Sequence, residues 1–198
     1  MAIATREITD TIVRHTFTVD QYHAMGDAGI FQPDDRIELI LGEVLEMLPI
    51  GASHVGCVGR TNDVVTQQIG KRYFVFVQCP IRLSDNSEPE PDFLVVRKDY
   101  DQSALPTPAV ALLVIEISDS SLAFDRNVKL PLYARAGIPE AWIFDLTSIR
   151  IERHTNPTPD GYQSIEIASQ GQSLDSLSVP GLAIAVDDVI YVPEKKNE

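Results

Sequence analysis

Two carboxylates lie beside apolar runs that are typical of buried strands. Asp92 follows the prolines of EPEPDFLVV and opens one run, and Glu116 lies near the end of another, AVALLVIEIS. A carboxylate at the end of a buried strand is costly to desolvate unless a cation or hydrogen-bond donors receive it. The alternatives are a turn cap for Asp92 and a salt bridge at the strand end for Glu116.

A divalent cation is the simplest partner for such a pair. Mg²⁺ binds hard oxygen ligands, usually one or two carboxylates completed by waters and substrate phosphates. Asp92 and Glu116, together with the backbone carbonyl of Ile117, match this ligand set. We therefore expect a Mg²⁺ or Mn²⁺ site of the kind that assists hydrolysis.

A second group of polar residues has helical spacing. Asp125, Lys129 and Tyr133 follow one another at intervals of four residues, so they share one face of a helix. This face can turn toward the strand ends, or Lys129 can be a solvated residue that pairs with Asp125. Tyr133 also has the character of a core aromatic residue.

Three further polar residues belong to neighbouring elements, and one of them, His54, has two interpretations. His54 falls in the first turn of a predicted helix, where the helix dipole disfavours a charged imidazole, and it either stays there or faces the metal site. Glu38 and Glu43 occupy the polar positions of RIELILGEVLEM. They are expected on the polar face of an edge strand.

The elements that must position these residues alternate between helix and strand. A helix capped by Ser53 and stopped by Gly70 precedes three β-rich segments, a helix that begins or bends near Pro131, and a further strand. In chain order, the segments are HVGCVGRTNDVVTQQIG, YFVFVQCPIRL, PDFLVV, AVALLVIEIS, FDRNVKLPLYARAG and AWIFDL. This order predicts an α/β fold around a mixed central sheet.

Shorter elements flank this core. Thr18 is expected to cap a peripheral helix, and the sequence around Gly42 predicts two short strands or one bent strand. IRIERH and YQSIEIA predict a hairpin, appended within residues 151–190, that adds strands to the fold. We expect one domain over residues 1–198.

Composition narrows the function classes. With 198 residues and 44% hydrophobic content, the chain can bury one sizeable core. Its 16 Lys and Arg against 29 Asp and Glu leave a net charge of −13, which opposes non-specific binding to a polyanion. Cys57 and Cys79 lack zinc or disulfide spacing. No apolar signal core or membrane-span run is seen, so we expect a cytoplasmic protein without a membrane partner.

The polar residues also form an ordered pattern over residues 36–150. The pattern consists of ELILGE (38–43), His54, PD (91–92), EIS (116–118), Asp125, Lys129, Tyr133 and EAWIFD (140–145). It resembles the Uma2-like (DUF820) restriction endonuclease family of the PD-(D/E)XK nuclease superfamily. The resemblance implies a restriction-endonuclease-like core of helix, three strands, helix and strand. It also implies supporting roles for Glu43, His54, Ser118, Asp125 and Tyr133.

One position departs from the superfamily pattern. The superfamily places a lysine two residues after the strand acid, and Ser118 occupies that position here. The Uma2-like pattern implies that Lys129 replaces it from the following helix. In this role Lys129 positions or activates the attacking water, beside the catalytic groups Asp92 and Glu116. We expect Lys129→Met to keep the fold while lowering cleavage.

These inferences predict a Mg²⁺-dependent endonuclease that hydrolyses DNA phosphodiester bonds. Nucleases that cut both strands commonly act as dimers, so a homodimer is expected by analogy. The alternatives are a nuclease-fold binding module without turnover and an acidic protein-interaction domain with a structural metal. If DNA is the substrate, basic residues should gather near the site. The candidates are Arg60, Lys71, Arg72, Arg126 and Arg135.

Overall fold

The computed structural model describes residues 13–32 and 34–191. Its elements alternate between helices and strands along most of this length. In chain order, they are α1 (Val19–Asp27), β1 (Ile37–Ile40), β2 (Glu43–Glu46), α2 (Ala52–Ile69), β3 (Tyr73–Val77), β4 (Phe93–Arg97), β5 (Ala111–Ser118), α3 (Leu122–Phe124), a π-helical turn (Asp125–Lys129), α4 (Leu130–Arg135), β6 (Glu140–Asp145), β7 (Arg150–Thr158), β8 (Gly161–Ser169), β9 (Ser173–Asp175), β10 (Ala183–Ala185) and α5 (Val186–Val189).

Six of the strands, β3 to β8, form a central sheet in which they lie side by side in chain order. Neighbouring strands are antiparallel except for β5 and β6, which are parallel. A parallel pair needs a crossover connection, and the helical segment from α3 to α4 supplies it. The predicted α/β class, with its order of helix, three strands, helix and strand around a mixed sheet, is confirmed.

The sheet is covered on both faces. Successive side chains of β5 point to opposite faces, so Ile115 packs in one cluster with Val65 of α2, and Val114 packs in another with Leu130 of α4. This double coverage accounts for the near-continuous apolar run of β5. Glu116 is two residues after Val114 and therefore points to the α4 face.

The start of α2 differs from the sequence prediction. Its N-cap is Gly51, which has no side chain to accept a bond from the first helical amides, and Ser53 lies inside the helix. The prediction of a Ser53 cap was wrong because glycine is also tolerated at this position at little cost. Thr18, by contrast, caps α1 as predicted and forms a capping box with Gln21.

The crossover helix changes its winding before Pro131. The N–H of Leu130 bonds to the carbonyl of Asp125, five residues earlier, which defines the π turn. Pro131 follows in the first turn of α4. Because proline has no N–H and its ring crowds the carbonyl four residues earlier, a regular helical ladder is not available there. The π turn accommodates this break, at the place where the sequence predicts a helix start or bend.

The region after the core adds two structures. β7 and β8 form a hairpin that extends the central sheet at its edge. β9, β10 and α5 follow, and Leu174, Ile184 and Val189 from them pack in the same cluster as α2. Within residues 13–32 and 34–191, the structure contains no helix with the length and apolar character needed to cross a membrane.

Candidate active site

A cleft of about 580 Å³ opens where β4 begins and β5 ends. Asp92, immediately before β4, lines it together with Glu116 and Ile117 of β5. Its other polar groups include Glu38 of β1, His54 of α2, and Asp125 and Lys129 of the π turn. Strands and helices distant in sequence thus bring most of the predicted site residues together.

Asp92 is held by two donors. Its Oδ2 accepts a hydrogen bond of 2.8 Å from the N–H of Ile117, and His54 Nε2 lies 3.2 Å from both carboxylate oxygens. Because β4 and β5 are antiparallel neighbours, the first contact ties the start of one strand to the end of the other. The Asp92 carboxylate therefore lies beside the residue that follows Glu116.

Glu116 contacts two residues of the crossover helix. Tyr133 donates its O–H to Glu116 Oε1, and Lys129 Nζ lies 3.2 Å from the same oxygen. Lys129 also donates a hydrogen bond of 2.9 Å to Glu38 Oε1. The ammonium of Lys129 therefore bridges an acid from β5 and an acid from β1.

Asp125 accepts hydrogen bonds from two serine hydroxyls. Ser118 donates to Asp125 Oδ2 over 2.7 Å, and Ser121 donates to the same oxygen over 2.6 Å. The buried side chains of Asp125, Lys129 and Tyr133 all turn toward the end of β5. These three residues therefore share one face, as predicted, although the helix contains a π turn.

The pKa values of these groups reflect their burial. Burial raises the pKa of Glu116 well above its usual value, Lys129 opposes this rise, and Asp125, Asp92 and Glu38 add to it. Burial also raises the pKa of Glu38 and of Asp125. Burial alone would lower the pKa of Lys129, but the surrounding acids raise it. Lys129 therefore stays a cation, which suits it to stabilise negative charge rather than to accept a proton.

The cleft contains more negative than positive groups. Among the described residues, seven carboxylates line it against the two cationic side chains of Arg36 and Lys129, and they are those of Glu38, Glu46, Glu90, Asp92, Glu116, Asp119 and Asp125. Glu38 Oε2 is buried and has no hydrogen-bond partner within the described ranges. A divalent cation would offset this excess negative charge.

The candidate metal ligands form an open site and do not enclose a cation on all sides. In the part of the chain that the structure describes, no three His, Cys, Asp or Glu side chains converge as a metal-binding cluster. Mg²⁺ does not require such a cage, since waters and substrate phosphates commonly complete its shell. Asp92, Glu116 and the carbonyl of Ile117 fit an open site of this type.

Sequence reasoning missed part of this network. Glu38 was expected on the polar face of an edge strand, but it is 5% exposed and bonded to Lys129. Strand alternation gave no signal for it, because its neighbours Leu39 and Ile40 are buried as well. Tyr133 is a core residue as expected. Its hydroxyl also contacts Glu116, and the prediction of a core aromatic residue did not include that contact.

Two other expectations are not matched by the geometry of the cleft. Glu43 does not line it and pairs instead with Arg14. Basic residues were expected to gather near the site, and none of the five candidates is among the residues that line the cleft itself. Arg60 and Arg135 donate to backbone carbonyls, and Arg126 pairs with acids of β6 and β7. These arginines tie elements together.

Comparisons with known proteins concern nearly the whole chain. The family model of Uma2, described as "Putative restriction endonuclease", matches residues 19–187. A similar solved structure is the crystal structure of "a putative nuclease belonging to DUF820" from Anabaena variabilis ATCC 29413. The two structures superpose with a TM-score of 0.66 at 14% identity, over 87% of this chain and 97% of the other.

A search of curated proteins gives no match. At such low identity, the likeness to the solved structure shows the fold alone. The family model, however, covers well over half of the chain. This chain therefore belongs to the Uma2 family.

Proposed function

We propose that this protein is a Mg²⁺-dependent endonuclease that hydrolyses phosphodiester bonds of DNA. The observation that carries the proposal is the placement of Asp92 and Glu116 in one cleft, with Lys129 against Glu116. Membership in a family described as "Putative restriction endonuclease" supports a nucleic acid as the substrate.

In this proposal, Asp92, Glu116 and the carbonyl of Ile117 hold the cation, and Mn²⁺ can replace Mg²⁺. When bound, Mg²⁺ supplies Lewis-acid polarisation of the phosphoryl group and offsets the charge that develops on it. The bond from the Ile117 N–H fixes the direction of the Asp92 carboxylate. His54, on the other side of that carboxylate, limits its rotation.

Lys129 acts as a fixed positive charge. Its contacts to Glu38 and Glu116 hold the ammonium at the base of the cleft. There it stabilises the negative charge that builds on the phosphate during attack by water. Tyr133 and Glu38 position Lys129 and Glu116 and do not themselves meet the substrate.

The divalent cation requirement tests this proposal. Purified protein is incubated with mixed DNA substrates in Mg²⁺, in Mn²⁺, and in EDTA. We expect cleavage that rises with the concentration of Mg²⁺ or Mn²⁺ and stops in EDTA. Cleavage that is unaffected by EDTA would contradict the proposed role of the cation.

A second candidate function is a binding module that keeps the nuclease fold without turnover. Two observations favour it. Ser118 stands where the superfamily has a lysine and donates to Asp125, and the expected basic residues do not line the cleft. DNA binding without any cleavage in Mg²⁺ or Mn²⁺ would identify this alternative.

A further inference from the structure

The cleft has an apolar wall that the metal-binding groups do not explain. Leu45, Met47, Ile50 and Phe124 all line it. Phe124 is half-buried and belongs to neither of the clusters that cover the central sheet. Ile50 is 42% exposed. These side chains therefore offer apolar surface to a ligand and do not serve the core.

The polar groups lie deep in this cleft. Asp92 is 8% exposed, and Glu116 and Lys129 are each 4% exposed. The volume of about 580 Å³ falls in the range of roughly 300–1,000 Å³ that is typical for one drug-sized ligand. Proteins that bind duplex DNA specifically instead cover roughly 1,000–2,500 Å² with a strongly positive surface.

The charge of the cleft also argues against a duplex. Besides Lys129, the cationic side chain that lines it, among the residues the structure describes, is Arg36. Arg36 also donates to the carbonyl of Leu48. Duplex DNA carries one charge per roughly 1.7 Å of its axis, and a protein with a net charge of −13 needs a cationic track to hold it.

We propose that the cleft takes one unstacked nucleotide from a single-stranded or frayed segment of DNA. Its base lies against Phe124 and the apolar wall, and its phosphodiester points toward Asp92 and Glu116. The inference rests on the proposed function and adds the strand state of the substrate. Stacking of a base on an aromatic side chain changes affinity by about 5- to 150-fold.

Binding measurements on parent and variants test the inference. A labelled single-stranded oligonucleotide and the same sequence as a duplex are titrated with protein, with Ca²⁺ in place of Mg²⁺ to separate binding from cutting. We expect the single strand to bind at least about 10-fold more tightly than the duplex. Phe124→Ala should weaken binding of the single strand by about 5- to 150-fold, and Phe124→Trp should retain it.

The matched control is Ile165→Ala, which removes an exposed apolar side chain of β8 outside the cleft. It should leave binding unchanged, and melting temperatures should show that each variant is folded. Oligonucleotides with one abasic position give a second readout. At the position whose base meets Phe124, loss of the base should weaken binding by the parent, and Phe124→Ala should add no further loss.

Equal or tighter binding of the duplex, or parent-like binding by Phe124→Ala, would overturn the inference. The outcomes separate it from the proposed function. If the parent cuts duplex as fast as single strands, the strand-state inference fails while the nuclease proposal stands. If single strands bind through Phe124 and are never cut in Mg²⁺ or Mn²⁺, the nuclease proposal fails and the inference stands.

Discussion

Lys129 is buried between two acids, so its removal should affect stability as well as catalysis. In Lys129→Met, Glu38 and Glu116 would lose the cation that now contacts both. Loss of one partner of a buried ion pair costs about 3–5 kcal/mol. We therefore expect a large loss in the free energy of unfolding, measured in urea, together with a fall in cleavage of about 100-fold. The variant is still expected to keep its fold, but with a lower free energy of unfolding.

The loss of stability in Lys129→Met should depend on pH. Without the ammonium, the pKa values of Glu116 and Glu38, already raised by burial, should rise further in the folded state. An acid whose folded pKa is raised binds protons preferentially in the folded state, so its penalty diminishes as pH falls. Lys129→Met should thus be less destabilised at about pH 5 than at about pH 8. Lys71→Met, at an exposed lysine, is the control, and an equal penalty at both pH values would contradict the account.

For individual residues, the sequence predicts an arrangement only where the residues are close together in the chain. Asp125, Lys129 and Tyr133 share a helical face, which a four-residue interval reveals. The contact from Lys129 to Glu38 joins residues 91 positions apart. No local pattern encodes such a contact, since it depends on how β1 packs against the crossover helix.

The hairpin of β1 and β2 positions Glu38, and its turn depends on Gly42. Gly42 has a φ of +79°, and a Cβ added there would lie 2.5 Å from Thr16 Cβ. Gly42→Ala should therefore combine backbone strain with a clash and displace the strand that carries Glu38. We expect a loss above the roughly 1–3 kcal/mol of strain alone, and lowered cleavage because Lys129 loses part of its support.

Gly29→Ala is the matched control for the hairpin variant. Gly29 has a similar φ of +73°, but nothing lies within 4 Å of an added Cβ. It should show the strain without the clash. Melting temperatures measure both effects, at about 2–4 °C per kcal/mol for a chain of this size. Equal losses in the two variants would show that the close approach to Thr16 has no effect.

Helices and strands are predicted well where the hydrophobic periodicity is strong. They are predicted less well where a cap sets the start of a helix or where the helical winding changes. The apolar run of β5 and the spacing in α2 identify their elements directly. The sequence does not reveal that Gly51 is the N-cap of α2, because the side chain of Ser53, two residues later, is better suited to cap a helix. Pro131 signals a break in the crossover helix, but it does not specify that the break is a π turn.

For the whole molecule, acid stability depends on acids with opposite pKa shifts. Burial acts to raise the pKa of Glu152, but bonds from His154 and Arg126 and the charge of Arg150 lower it to about 2. A lowered folded pKa gives stability that is present above the unfolded value of 4.5 and is lost as pH falls toward about 2. Buried acids with raised pKa, such as Glu116, have the opposite pH dependence.

Glu152→Gln tests this contribution. The variant should be less stable than the parent at pH 7, and the difference should shrink between about pH 4.5 and pH 2 as the parent loses the same interaction. Urea unfolding across this range measures it. A difference that stays constant down to pH 2 would mean that the ionised Glu152 contributes nothing.

The cations of the cleft set how DNA binding responds to salt. For single strands, log K falls against log salt with a slope of about −0.7 per phosphate neutralised. With Arg36 and Lys129 as the cations lining the cleft in the described residues, we expect a slope no steeper than about −1.4. A slope near that of a protein with six or more phosphate contacts would reveal an additional cationic surface.

The carboxylate of Asp92 gives the most direct test of the account. The measurement is the rate of DNA cleavage in Mg²⁺ by the parent, by Asp92→Ala, and by Asp63→Ala, which removes an exposed aspartate of α2 outside the cleft. Loss of a cation ligand removes both the cation and its effect on the phosphate. Cleavage by Asp92→Ala should therefore fall to background, while Asp63→Ala should cut at the parent rate. An Asp92→Ala variant that cuts as fast as the parent would contradict the account.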